Sequence, residues 1–416
     1  MGEPAAPATP APSRYRWVIC GLLLLATGIN YVDRQMIGLL KPTLQAEFGW
    51  TELSYANIVF WFQAAYAIGY IGFGGIVDRI GARLGYAVAY AIWTVAHVLH
   101  GLAHSVLGFG AARFLLGIGE SGNFPAGLKA VAEWFPPNER ALATGLFNAG
   151  ANIGAIVTPL AVPALTLAFG WRMAFVITGA VSLIWLFAWL AFYRLPKGAA
   201  QTPPLTAAAG PKIGWRAVLG LRQTWAYALA KFLTDPIWWL FLFWLPDFLH
   251  RRYGLDLKNF GPPLVVVYVM SDLGSVAGGW LSSQLMKRGM PVGKARKTTM
   301  LICAVAVTPI FAAPYVSQLW GAVAIIGLAA AAHQAWSCNL FTLPSDMAPP
   351  RAMGSMIGVG GAAGAVGGML MSQYTGLILQ TVGSYWPVFA VAGCAYLIAL
   401  GVIQLLVPRL GPPARA

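Results

Sequence analysis

Apolar runs of roughly 20 residues, separated by short polar segments, recur between residues 17 and 408. Each is long enough to cross a bilayer as a helix. They predict twelve spans, at 17–40, 54–76, 84–103, 107–131, 141–166, 172–194, 223–249, 261–285, 297–315, 318–345, 353–379 and 386–408. Barrel strands would instead alternate apolar and polar residues over about ten positions. Gly-rich stretches such as Gly358–Gly368 suit helices that approach closely in lipid. The expected fold class is an all-α integral membrane protein with twelve transmembrane helices in two pseudo-symmetric six-helix bundles.

The largest break in the pattern is 195–222, with Pro196, Pro203, Pro204 and Pro211 among small and basic residues. It sets the expected organisation. Residues 1–15 form a disordered tail, 16–195 a first bundle, 196–222 a cytoplasmic linker, 223–410 a second bundle and 411–416 a short tail. Two halves of six spans are the layout of a transporter whose halves rock about a central site. A faint internal echo supports it: Gly74–Asp78 closes span 2 and Gly278–Ser282 closes span 8. The first apolar run is too long for a cleavable signal peptide and contains Asp33-Arg34.

Composition agrees with the pattern. Hydrophobic residues make up 58% and charged residues 10%, against about 25% charged in soluble domains. The net charge of +14 raises nucleic acid as a partner, but its placement argues against it. Nineteen of the 27 Lys and Arg fall on one side of the predicted spans, five on the other (Lys41, Arg172, Arg251, Arg252, Lys258), and three inside (Arg34, Arg113, Lys231). That split follows the positive-inside rule and predicts both termini in the cytoplasm. The basic charge reads as a topology signal with some attraction to anionic lipid. Cys20, Cys303, Cys338 and Cys394 lie inside apolar segments and form no spaced ligand set. No metal site is expected, and the thiols read as core packing.

Charges inside the apolar runs are the candidate chemistry. Asp33-Arg34 interrupts the first, and Arg113 and Glu120 lie two helical turns apart on one face of the fourth. Such residues usually face a cavity and serve a function. A fixed cation beside protonatable carboxyls fits the joint movement of small anions and protons. The chain has no P-loop, HExxH or GxSxG motif. It is expected not to be an enzyme, to need no cofactor, and to draw on the proton gradient.

Gly74-Gly75-Ile76-Val77-Asp78-Arg79-Ile80-Gly81-Ala82-Arg83 resembles the GxxxDRxGxR signature between helices 2 and 3 of the major facilitator superfamily. In that family this loop latches the cytoplasmic side while the protein faces outward. The resemblance implies gating roles for Asp78, Arg79 and Arg83. The second copy carries no acid in the place of Asp78, although Lys287-Arg288 follow. Asn30-Tyr31-Val32-Asp33-Arg34, then Arg113–Glu120 with Asn123-Phe124-Pro125-Ala126, resemble the anion:cation symporter family. Glu133–Arg140 is similar to its loop after helix 4 and implies gating roles for Glu133 and Arg140. Lys231–Trp239 with Phe243–Pro246 resembles helix 7 of hexuronate permeases. His333–Thr342 with Ser345–Met347 resembles their helix 10.

The resemblance, over residues 15–408, implies a proton-coupled symporter of the bacterial inner membrane. It would import a sugar-acid anion, a hexuronate such as galacturonate or glucuronate, by alternating access and as a monomer. Other readings are the same fold carrying an aldonate, an aldarate or an aromatic carboxylate, an anion exchanger, and a non-transporting membrane receptor. A hexuronate offers a carboxylate, hydroxyls and an apolar ring face. Arginine suits the carboxylate. Arg113 aligns with the family's carboxylate-binding arginine. Arg34 binds substrate or neutralises a neighbouring acid. Lys231 supplies charge from the other half or pairs with Asp235, one turn on. Tyr31, Tyr66, Asn148, Gln334 and Asn339 suit hydroxyls, although an amide can instead bridge helices. Trp238, Trp239 and Trp336 suit ring stacking or plain packing. The resemblance assigns proton roles to Glu120 and Asp33, with His333 secondary. Glu120 could also form a permanent ion pair with Arg113.

Overall fold

The computed structural model describes residues 14–136, 139–194, 215–347 and 352–410. Most of the expected linker, with its four prolines, Lys197 and Lys212, lies outside them, as do residues 1–13 and 411–416 of the tails.

Among the described residues the chain is helical without strands. Its helices are α1 (Arg16–Phe48), α2 (Glu52–Gly101), α3 (Val106–Glu120), α4 (Asn123–Trp134), α5 (Arg140–Phe192), α6 (Trp215–Leu219), α7 (Arg222–Phe243), α8 (Leu245–Tyr253), α9 (Gly261–Lys287), α10 (Val292–Val307), α11 (Leu319–Met347), α12 (Met353–Thr381) and α13 (Trp386–Leu406). A 3₁₀ segment, Thr308–Tyr315, extends α10.

Twelve spans emerge once the breaks are read. Gly81 (φ 82°, ψ 167°) and Gly170 (φ 80°, ψ 158°) interrupt α2 and α5. Both sit in the left-handed half of φ space, where glycine meets no Cβ penalty. Each break separates two legs that run in opposite directions. The first leg of α2 runs parallel to α3 and α4, with Phe62 at Gly117 and Phe73 at Gly122. The second runs antiparallel to them, with Trp93 at Gly119 and Ala89 at Gly122. The pairs α3–α4 and α7–α8 each make one bent span. Polar caps start two helices: Thr51 Oγ1 accepts from Ser54 N–H, and Ser105 Oγ from Gly108 N–H, at 3.1 Å each.

The first and last described residues, Arg14 and Leu410, share one face of the bundle with the Gly81 turn. The segments around 49–51, 102–105, 254–260 and 382–385 lie on the opposite face. Helices α1–α5 pack on one another, as do α7–α13, and the two groups meet through α1, α2 and α5 against α7, α8, α9 and α12. In lipid the hydrophobic effect does not drive helices together, so close packing of small residues must. Gly150 and Gly154 on α5 lie against the α1 backbone at Leu24 and Gly28, and Gly274 and Gly278 on α9 lie against Ala331 and Ala335 of α11.

The polar links between the halves lie toward the opposite face. Gln373 Nε2 donates to Asn57 Oδ1 at 2.9 Å, Leu53 N–H to Gln380 Oε1 at 3.2 Å, and Tyr55 OH to the Phe243 carbonyl at 2.8 Å. Beside them sits a ring of four charges. Lys41 lies 2.7 Å from both Glu52 and Asp247, and Arg251 reaches Asp247 at 2.8 Å and also Glu52. Lys41 is therefore no loop cation at the surface. α1 continues to Phe48, and the Lys41 side chain is wholly buried.

Candidate functional site

At mid-depth, Arg34 projects from α1 into an aromatic cage. Its guanidinium lies 5.0 Å from the ring centroids of Tyr31 and Tyr66, 5.5 Å from Trp239 and 5.7 Å from Phe62. Trp239 comes from α7, so the cage draws on both halves. Arg34 Nε and Nη2 each lie 2.9 Å from Glu120 Oε2, and Nη2 also donates to Asn30 Oδ1 at 3.0 Å. The Glu120 side chain is fully buried, and its second oxygen has no hydrogen-bond partner among the described residues.

Arg113 lies beside this pair. It is completely buried, its Nη1 donates to the Arg34 carbonyl at 3.2 Å, and its Nε and Nη2 are without partner among the described residues. The ion pair considered between Arg113 and Glu120 is not what forms. Glu120 instead reaches across 86 residues of sequence to Arg34. An unsatisfied buried guanidinium edge is expensive. Nε and Nη2 form a planar donor pair matched in geometry to a carboxylate.

Asp33 does not share the surroundings of its neighbour. Successive helical residues point about 100° apart, and Asp33 turns into the interior of the first half. Its Oδ2 accepts from Ser182 Oγ, and its Oδ1 lies near His97 Nε2, both at 3.3 Å. His97 was not foreseen in the sequence. A single histidine in an apolar helix gives no signal, although its spacing from His100 and His104 does.

The remaining candidates are distributed unevenly. Tyr31 and Tyr66 are half-buried at the cage. Asn148 is exposed on α5 and Gln334 half-buried on α11. Lys231 pairs with Asp235 at 2.6 Å, and its ammonium lies over Phe341. Trp238 stacks on His333 at 5.5 Å, and His333 Nδ1 bonds the Tyr396 hydroxyl at 2.6 Å. At Arg34 it is therefore Trp239, not Trp238, that lies over the guanidinium. Trp336 is buried against Tyr396. Asn339 is a bridge away from the cage. It donates to the Gly278 and Ala335 carbonyls at 3.2 and 2.9 Å and accepts from Arg296 at 3.3 Å.

The residues expected at the gate pair within their own half. Asp78 lies 3.4 Å from Lys129, Arg83 donates to the Leu190 carbonyl at 2.6 Å, Glu133 accepts from Tyr193, and Arg140 donates to the Phe135 and Ala132 carbonyls at 3.0 and 2.9 Å. Among the described residues Arg79 makes no hydrogen bond or ion pair. The second half has an acid at another place, Asp346 at the end of α11, which accepts from Arg296 at 3.2 Å.

Two bundles of six spans around buried charges at mid-depth define a membrane transporter. The family model of the Major Facilitator Superfamily matches residues 23–372, and the chain belongs to that superfamily. It is 32% identical to the hexuronate transporter of Escherichia coli (strain K12), with 93% of each chain covered. It is 34% identical to the galacturonate transporter of Dickeya chrysanthemi, over 65% of this chain and 83% of that one. With the D-galactonate transporter of Escherichia coli O6:H1 it shares 28% identity, over 96% and 98%. A bacterial homolog of the human lysosomal transporter Spinster has the same fold, with a TM-score of 0.77 and 19% identity, covering 97% of this chain and all of that one. The chain is a multi-pass membrane protein and not an enzyme.

Proposed function

We propose that the protein is a proton-coupled symporter that imports a sugar-acid anion, a hexuronate such as galacturonate or glucuronate. It works in the bacterial inner membrane as a monomer with both termini in the cytoplasm. The carrying observation is the buried Arg113, whose Nε–Nη2 edge has no hydrogen-bond partner among the described residues, beside the Arg34–Glu120 pair.

That geometry suggests how anion and proton are linked. With Glu120 charged, Arg34 spends its Nε and Nη2 on an internal acid. A proton on Glu120 removes most of that attraction and frees Arg34 to join Arg113 on a substrate carboxylate. By reciprocity, a bound carboxylate favours proton uptake at Glu120. Tyr31 and Tyr66 offer hydroxyl groups at the same place, and Trp239 an apolar face for a sugar ring. The hexuronate reading draws support from the named relatives. The galactonate transporter among them favours a second reading, an aldonate, which has the same carboxylate and hydroxyls.

Uptake of labelled galacturonate, glucuronate and galactonate by proteoliposomes, with and without an imposed pH difference, tests this. Accumulation of a hexuronate only with acid outside is the expected result. Equal equilibration under both conditions would remove the proton, and preference for galactonate would move the substrate to the aldonates.

A further inference from the structure

Three of the chain's five histidines, His97, His100 and His104, are spaced by three and four residues. They follow one face of the second leg of α2 and the segment just after it. His104 is exposed beyond the helix end, on the opposite face, while His100 and His97 are fully buried one and two turns inward. His100 Nδ1 lies 2.8 Å from the Ala96 carbonyl and so carries its proton, and its Nε2 has no partner among the described residues. The His97 ring centroid is 6.3 Å further on. His97 Nε2 lies 2.7 Å from Thr178 Oγ1, whose own hydroxyl donates to the Ala174 carbonyl at 2.8 Å. Nε2 therefore carries the His97 proton toward Thr178, while Asp33 Oδ1 lies 3.3 Å from Nε2 and has no hydrogen-bond partner among the described residues. Nδ1 on the far side of the ring has no partner among the described residues.

Most buried side-chain polar atoms find a hydrogen-bond partner. Here each buried ring keeps one nitrogen unpaired, and the file ends on a buried carboxyl. The geometry points to His97, backed by His100 and His104, as the route by which a proton passes between the opposite face and Asp33, separate from the path of the anion. This deepens the proton-coupled reading above and rests on it. In the step itself, His97 Nδ1 takes a proton, directly or through one water, and Nε2 gives its proton to the Asp33 carboxylate. The donor, a protonated His100 Nε2–H or a bridging hydronium, loses one N–H or O–H bond; one N–H bond forms at His97 Nδ1, one breaks at Nε2 and one O–H bond forms on Asp33, leaving neutral imidazoles and a neutral acid. The charged groups acting on the file are Asp33 and Glu47 from α1, the latter beside His104, and Arg113 and Glu120 from α3, while α5 contributes the neutral Thr178 and Ser182.

The test compares two transport modes in proteoliposomes. One is accumulation driven by a pH difference. The other is counterflow of substrate against substrate, which needs no net proton movement. If the wild-type protein shows no proton-driven accumulation, the coupling reading itself fails. If it does, His97→Gln and His100→Asn should each slow driven uptake about tenfold or more and flatten its dependence on external pH, with counterflow continuing. Driven uptake and a pH profile unchanged in both variants would overturn the route. Parallel loss of both modes in either variant would assign the histidines to packing and overturn it equally.

Discussion

Arg113 holds its charge in a site without solvent contact, and among the described residues only its Nη1 meets an acceptor. A buried charge of this kind is tolerated when a counter-charge completes it in the working cycle. Arg113→Lys keeps the charge and loses the two-donor edge. Losing one partner of a buried charged pair costs about 2–5 kcal/mol, so substrate half-saturation should rise by roughly 30-fold or more. Concentration-dependent uptake measures it, and wild-type affinity in the lysine variant would reassign the carboxylate to Arg34. Glu120→Gln mimics the protonated acid and releases Arg34 permanently. Accumulation against a gradient should stop while counterflow persists, and continued accumulation would move coupling to Asp33. These residues stood out in the sequence because a charge in a span is conspicuous. Their partners were hidden, since Arg34–Glu120 and Asp33–His97 join different helices. For Lys41, Glu52 and Asp247, the signal was lost at the span ends, where charges are ordinary.

At the scale of the helix, the spacing of small residues determines how closely the spans approach. Equivalent pairs in the two halves use the same device: α5 meets α1 at Gly150 and Gly154, and α12 meets α7 at Gly364 and Gly367. A Cβ on Gly154 would come 2.3 Å from the Gly28 carbonyl, and one on Gly278 would come 2.4 Å from the Ala335 Cα. Backbone cannot yield as a flexible side chain does, so overpacking of about 1–3 kcal/mol is expected. Gly154→Val and Gly278→Val should lower the melting temperature in detergent by several degrees, whereas Gly72→Ala, with nothing within 4 Å, should leave it unchanged. Equal melting of all three would show that these contacts relax freely. The twelve spans were legible because twenty apolar residues have few alternatives in a bilayer. The breaks within spans were not, because the α3–α4 and α7–α8 bends depend on tertiary contacts rather than on apolar length.

For the whole molecule, the balance between the two faces decides which side is open. On the opposite face, Lys41, Glu52, Asp247 and Arg251 form a closed ring in which each acid meets both bases. Tyr385 adds a hydrogen bond to Asp247 at 2.5 Å. Glu52 and Lys41 belong to the first half and the others to the second, so rocking the halves apart on that face must break the ring. On the terminus face, Asp78, Arg83, Glu133 and Arg140 bond within the first half, and Arg296 and Asp346 within the second. Such an arrangement belongs to a state closed on the opposite face, in which any latch across the terminus face is disengaged. Two substitutions should therefore act in opposite directions. Asp247→Asn leaves Lys41 and Arg251 with one acid between them. Breaking a buried pair costs up to about 3–5 kcal/mol, enough to reverse a two-state population. Asp78→Asn weakens the state in which the latch is engaged and favours the one described here. With a single cysteine placed at Asn57 in a background lacking the native thiols, reagent added from the opposite face should label Asp247→Asn faster than the parent. Asp78→Asn should label more slowly, and the double variant should fall between the two. Labelling of Asp247→Asn at the parental rate would mean that the ring merely braces the closed face, leaving the aromatic and small-residue contacts of α1, α2, α7 and α12 to hold the gate.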